Sequence, residues 1–367
     1  MLIVHLAPDE RRTVKVKLSL LVLSAMVAVL ITAMPAIVQP ASQGGQKTIQ
    51  GTHEDRQKNP KGCSGCHVAH GQPKTPSLRA TPDKLCLICH GPYRQTPDDN
   101  GSNIYSSLQK RSHHPILETS QYHDRNETLP ETNPLMPRHV ACYDCHNPHS
   151  LNNANKIGMV RGVSFNGQKK IAATASEVCY KCHGDSANRP ATSSNMKLLF
   201  DPNNQSYHPI ERAARKRSVS LFKNLQGSQT IDCTDCHESH GSDYPPLLLK
   251  NYTTTEGPES QYAYDLCYSC HRRESILGNE SFVGSQTQPY GHREHIVFVK
   301  TSCHTCHASH GSQINPSLIE FDRQIVTGPG QYIPGIKGSP TCILTCHGKD
   351  HGVTTPDVQQ QSTKKKK

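Results

Sequence analysis

The chain has 367 residues, of which 34% are hydrophobic and none is tryptophan, together with 26 Pro, 25 Gly, 23 His and 16 Cys. An ordinary soluble domain is about 45–50% apolar, so this composition excludes a conventional globular enzyme built on its own hydrophobic core. Disulfides, metals or a covalent cofactor must supply what the side chains do not, and the net charge of +10 takes its meaning from whichever of these the cysteines hold.

At the N-terminus, Arg11, Arg12, Lys15 and Lys17 precede an uncharged, mostly apolar run over residues 18–38. This reads as an export segment. A signal-peptide core is about 7–15 residues and a membrane span about 20, so length favours an uncleaved anchor. Pro35, Ala36, Pro40, Ala41 and Ser42 form a cleavage region and favour removal, which leaves both readings open for residues 1–42. Arg11-Arg12 suggests a twin-arginine signal, but ordinary charges ahead of an apolar run are the stronger reading. No cysteine precedes Cys63, and no later segment is apolar enough to span a bilayer.

Eight cysteine pairs follow, with none left over, and a histidine follows the second cysteine of each. Seven read C-x-x-C-H: Cys63, Cys66, His67; Cys86, Cys89, His90; Cys142, Cys145, His146; Cys179, Cys182, His183; Cys233, Cys236, His237; Cys267, Cys270, His271; and Cys303, Cys306, His307. The eighth, Cys342, Cys346 and His347, has one extra spacer residue. C-x-x-C-H is the attachment signature of c-type haem: two thioether bonds to the porphyrin and an imidazole on the iron. On a helical turn, positions i, i+3 and i+4 share a face and reach one macrocycle. Disulfides, zinc ribbons and thioredoxin-like pairs do not require the histidine. The i, i+4 spacing of Cys342 and Cys346 also keeps both thiols on one helix face, so eight haem c groups are expected, with this last site the weakest. Haem of this type is attached after export of an unfolded chain, which is why Arg11 and Arg12 read as ordinary charges.

The motifs alternate. The first, third, fifth and seventh continue to a second histidine three residues on, at His70, His149, His240 and His310, followed by Gly71, Ser150, Gly241 and Gly311; no even-numbered motif does. Chance gives this alternation about one time in 10⁵. The chain is therefore four repeats of two motifs, whose members begin 23, 37, 34 and 39 residues apart. Pro148 and the Gly or Ser after each odd motif discourage helix continuation, so the second histidine can turn towards a neighbouring iron as its distal ligand. Eight irons need four more distal ligands, and each repeat has an upstream histidine: His53, His114 (or adjacent His113), His208 and His295 (or His292). His123, His139, His304 and His351 are spare, with His351 the strongest reserve.

These residues, with phrases such as His208-Pro209-Ile210, Cys142-Tyr143-Asp144-Cys145-His146-Asn147-Pro148-His149-Ser150 and Leu266-Cys267-Tyr268-Ser269-Cys270-His271, resemble the doubled CxxCH family of multihaem cytochromes c over residues 53–351. The resemblance implies a bis-histidine, low-spin haem wire in the cell envelope of a respiring bacterium or archaeon. It also implies that the upstream histidines ligate the first haem of each unit and the His70-type residues the second. The Cys342 motif departs from the family pattern.

Haem changes the reading of the charge. Beyond residue 42 the chain carries a net +8, and each oxidised bis-imidazole haem with two propionates adds about −1. The basic excess thus compensates propionates, and no nucleic-acid partner is expected. The run 212–217 and the lysines at 364–367 read first as a solvated helix and a disordered tail, with docking of acidic partners as the alternative.

The expected organisation is a signal or anchor at 1–42, di-haem units at 43–100, 101–195, 196–280 and 281–352, and a disordered basic tail at 353–367. The fold class is a haem-nucleated multihaem cytochrome c of short helices and irregular loops with little or no sheet. A further helix is expected over 211–225, and 92–101, 129–137 and 186–195 read as loops. Residues 328–338 lack clear periodicity.

The first functional reading is an exported electron carrier, periplasmic, on the outer face of the cytoplasmic membrane, or extracellular. Its partners would be redox proteins of the envelope: a quinol-linked donor, other multihaem cytochromes, or an outer-membrane porin conduit. Only Met136, Met159 and Met196 lie beyond the export segment, so methionine ligation is a minor option. The competing readings are an octahaem oxidoreductase acting on nitrogen or sulfur compounds, which needs an open iron site, and a subunit of an extracellular haem filament formed by self-association.

Overall fold

Regular structure gathers at the cysteine motifs. In the computed structural model, described for residues 53–352 except 58, 69–76, 93–102, 118–139, 153, 188, 190–192, 227–228, 279, 281–290 and 335–340, five short α-helices carry motif cysteines. They are α1 (Cys63–Cys66), α2 (Pro82–His90), α3 (Cys142–Cys145), α4 (Ala175–His183) and α5 (Asp265–Tyr268). The motifs at Cys233 and Cys303 form single 3₁₀ turns.

Local chemistry starts these turns where the cysteines need them. Pro82 and Asp83 open α2, where a missing N–H costs nothing and a negative charge meets the helix dipole. Thr174 accepts a hydrogen bond from the Glu177 N–H, and the Glu177 carboxylate accepts from the Ala173 N–H at 2.6 Å. Two otherwise unpaired donors at the start of α4 are thereby satisfied. Asp144 accepts from the Ala141 N–H at 2.7 Å and Asp235 from the Asp232 N–H at 2.8 Å. Two carboxylates also tie consecutive motifs together: Asp83 accepts from the Cys142 N–H, and Asp232 from the Ala175 N–H at 3.0 Å.

Sheet is sparse but present. Two antiparallel pairs join distant repeats: β1 (Ser112–His113) with β5 (Gly241–Ser242), and β4 (Ser206–Tyr207) with β6 (Gly311–Ser312). A hairpin of β2 (Arg161–Val163) and β3 (Lys169–Ile171) precedes α4. A C-terminal sheet, β7 (Val326–Ile333), β8 (Thr341–Cys346) and β9 (Lys349–His351), is antiparallel throughout. The apolar clusters are small among the described residues. Tyr264, Tyr268, Leu277 and Ile296 form one, Val160, Ala172 and Val178 a second, and Phe321, Val326 and Leu344 a third.

Three expectations change. The stretch 211–225 is not a helix: only Lys223–Leu225 makes a 3₁₀ turn. Its backbone is spent on the sixth motif instead, with Leu221 bridging His271, Phe222 N–H donating to Cys270 and Arg272 N–H to Ser220. The stretch from 328 enters β7, where a bulge between Thr327 and Gln331 and the left-handed Gly328 and Gly330 hide the two-residue period. The eighth motif is a strand, not a helical turn.

The chain divides into Met1–Ile49 and Gln50–Lys367. The export segment, His70, His123, His139, nearly all of 92–101, the loop 129–137 and the tail lie outside the described residues. No described helix is long and apolar enough to cross a membrane.

Candidate haem-attachment and axial-ligand sites

None of the sixteen cysteines is joined to another as a disulfide, which leaves all of them for thioether bonds. In all seven standard motifs the helical geometry that attachment asks for is direct. The histidine N–H bonds the first cysteine's carbonyl at 2.9–3.0 Å in the motifs at Cys63, Cys142, Cys233, Cys267 and Cys303, and α4 carries Cys179 to His183 on consecutive turns. The seventh, Cys86 to His90, closes α2 in the same way.

The thiols run past one another in chain order. Cys66 lies beside Cys86 and Cys89, whose charges add to burial in pushing its thiol up. Cys86 and Cys142 share a hydrogen bond, as do Cys179 and Cys233. Cys145 neighbours Cys179, and Cys236 neighbours Cys270. Burial, then the charge of Cys267, raises Cys303, and Cys267 is itself pushed up to about 12. Cys306, pushed up to about 12 mainly by burial, faces Cys342 and Cys346. Each motif is thus next to the one that follows it in the sequence.

The imidazoles meet in pairs. Ring centroids are 6.0 Å apart for His53 and His90, 6.2 Å for His67 and His149, 6.3 Å for His114 and His183, and 5.9 Å for His146 and His240. They are 6.3 Å apart for His237 and His310, 6.1 Å for His292 and His307, and 6.2 Å for His295 and His351. His208 lies near His271: burial, then the charges of His208 and His307, hold His271 down at about 4.

A metal–imidazole bond is about 2 Å, so one iron between two imidazoles sets their centroids about 6 Å apart once ring radii are added. Among the described residues no three His, Cys, Asp or Glu converge to hold a bare metal ion. Side chains facing in twos, beside paired thiols, fit the two axial positions of a haem and not a tetrahedral zinc site. Burial holds the rings below their usual range, His310 at about 4 and His292 at about 3, with His146, His183, His237 and His240 also lowered. A neutral imidazole offers the lone pair that a metal takes.

A repeated contact aims the rings. The Nδ1 of each of the first three upstream histidines meets the carbonyl just before a second histidine of the next repeat. His53 reaches Pro148 at 3.0 Å, His114 reaches Ser239 at 2.7 Å, and His208 reaches Ser309. The motif histidines are anchored similarly, His146 to Lys156, His237 to Pro246 and His307 to Ser317, while His271 Nδ1 meets the Ser220 hydroxyl at 2.7 Å. A hydrogen bond at Nδ1 fixes the tautomer and leaves Nε2 clear.

These contacts differ from the pairing that the family resemblance implied. His149, His240 and His310 face the first motif of the preceding repeat, not the second motif of their own. His53 and His114 face the second motif of their repeat, not the first, and His208 lies by the second motif of its own. The β1–β5 and β4–β6 pairings produce this, since each lays the segment around an upstream histidine against the residues after an odd motif one repeat later. Gly241 and Gly311 permit it: a Cβ would stand 1.8 Å from the Ser107 carbonyl oxygen at one and 2.0 Å from that of Leu199 at the other. In the fourth repeat His292 and His295, one turn apart at the segment Arg293–Phe298, face His307 and His351. Those two histidines at i, i+3 were the available sign of that role. His113 is turned away, its Nδ1 2.6 Å from the Lys110 carbonyl, and His304 lies 4.0 Å from Asp322. Among the described residues His347 meets no histidine ring; its Nε2 is 2.6 Å from Glu256.

Paired motif thiols on helical turns and imidazoles facing in twos are what a c-type haem site requires. The family model described as the doubled CXXCH motif matches residues 53–95, 136–188 and 227–275. Over these segments the chain carries the doubled CXXCH motif of multihaem cytochromes c, whose C-x-x-C-H pairs indicate covalently bound haem c. The Cys303 and Cys342 motifs lie outside the matched segments. No curated protein and no solved structure matches the chain.

Proposed function

We propose that the chain is an octahaem electron-transfer wire of the cell envelope, organised as four di-haem units with two histidines on each iron. The observation that carries this reading is the set of ring pairs near 6 Å, which gives every standard motif histidine an imidazole opposite it or close by. Bound haem supplies an iron that alternates between the ferric and ferrous states. The chain's residues decide that it does little else. The paired imidazoles would hold the iron through their Nε2 atoms from both sides and leave no place for a substrate, and nitrogen ligation would keep potentials below those of His/Met haems.

The succession of neighbouring thiols supports a haem order that follows the sequence, from Cys63 to Cys346. Acidic or basic partners at the two ends would be envelope redox proteins, among them a quinol-linked donor and other multihaem cytochromes. Haem quantification, intact mass and electron paramagnetic resonance of the native protein test this reading. Eight haems per chain, all low-spin and unreactive to cyanide, are expected. A high-spin haem that binds cyanide or nitrite would overturn the carrier in favour of an oxidoreductase.

A further inference from the structure

We infer that His351, and not His347, is the chain's axial ligand at the Cys342/Cys346 haem, with His295 on the opposite face. The inference rests on the octahaem reading and departs from the sequence pattern, in which the histidine directly after the second cysteine serves the iron.

The departure follows from a change of secondary structure. At the other motifs a helical or 3₁₀ turn brings the histidine after the second cysteine onto the side of the thiols. At the eighth, Cys342 to Cys346 is the strand β8. Alternate residues of a strand share a face, so Cys342, Leu344 and Cys346 point one way. That face is the inward one: Leu344 is buried with Phe321 and Val326, and Cys306 of the seventh motif packs against the same cluster.

His347 cannot follow the cysteines there. It forms the tight turn between β8 and β9 with Gly348, both residues at positive φ (49° and 70°), as a two-residue hairpin turn demands. Half exposed, it presents Nε2, the atom that would bind iron, to the Glu256 carboxylate at 2.6 Å.

His351 can. Leu344 pairs directly with His351 across β8 and β9, and residues directly opposite in an antiparallel ladder project to the same side. The fold therefore sets Cys342, Cys346 and His351 on one face. Opposite stands His295, with its centroid 6.2 Å from that of His351 and its Nδ1 fastened to the Gly291 carbonyl at 2.9 Å. That spacing and anchoring repeat what the standard motifs show. The eighth site is thus a C-x-x-x-C pair whose imidazole arrives four residues later by way of a hairpin.

The test compares His351→Ala with His347→Gln in the full haem-loaded chain, by intact mass and low-temperature electron paramagnetic resonance. The wild type should carry eight haems, His351→Ala should convert one of the eight to high spin, reversibly with added imidazole, and His347→Gln should leave every haem low-spin. If His351→Ala does not accumulate, His351→Met should instead yield one haem with a methionine–iron charge-transfer band. A high-spin haem in His347→Gln, an unchanged His351→Ala, or no methionine band in His351→Met would overturn the assignment. A wild type with seven haems would overturn it too while leaving a shorter wire intact, whereas native high-spin haem would strike at the wire itself.

Discussion

The repeats between residues 53 and 275 and the C-terminal hairpin at 326–351 solve one problem in two ways. In the first three repeats a cysteine pair and its histidine sit on a helical turn, and the second imidazole is delivered by a distant segment, through a two-residue strand pairing between the second and third repeats and between the third and fourth. In the hairpin the cysteines sit on a strand, and the local apolar cluster of Phe321, Val326 and Leu344 holds the sheet together. The repeats are interlocked, because the first motif histidine of each of the first three faces an imidazole of the next. In the fourth repeat His292 and His295 stand opposite His307 and His351 instead. On the proposed ligation, borrowing links one repeat to the next and leaves each incomplete alone, whereas the fourth supplies itself.

The sharpest way to break this comparison is to withhold the cofactor. Produced without haem attachment, the chain should show no cooperative unfolding transition and little amide protection by hydrogen exchange, in the repeats and the hairpin alike. The apolar clusters are three or four residues each, and an isolated small sheet is marginal in water. Retained protection in the repeats would mean that the polypeptide has a core the structure does not display.

Next in size are the glycines that distinguish the two regions. Gly241→Ala drives a Cβ into the Ser107 carbonyl and should cost about 3 kcal/mol in denaturant unfolding of the holoprotein, while loosening the rings of His114 and His240. Gly348→Ala has open space around it and only a left-handed backbone against it, so about 1 kcal/mol is expected. Equal costs would deny that the β1–β5 clasp is the tighter junction. A smaller effect belongs to Asp232, which accepts from the Cys233 and Ala175 N–H groups. Asp232→Ala should cost about 1–2 kcal/mol, measured the same way, without changing haem spin state.

How much of this was legible beforehand varies by residue. The helical turns at Cys63, Cys142 or Cys267 followed from C-x-x-C-H itself, because that geometry is local. The second histidines at His149, His240 and His310 stood out by alternation, but the motifs they face did not. That choice is made by β1–β5 and β4–β6, which join residues more than a hundred positions apart and leave no periodic trace in two-residue strands. The helix expected over 211–225 failed because its Ser218–Phe222 backbone is used by the sixth motif, a tertiary contact that overrides local preference. The hairpin escaped notice for a covalent-chemistry reason: His347 completes the motif on paper, while the ladder register that favours His351 is a property of pairing.

The borrowed imidazole is the central claim, and His240→Ala tests it most directly. Electron paramagnetic resonance should show one high-spin haem in this variant of the full chain. That signal should vanish when the third haem is also removed by Cys142→Ala with Cys145→Ala, because His240 faces His146. A high-spin signal that persists without the third haem would show that His240 serves another iron, and would contradict the account.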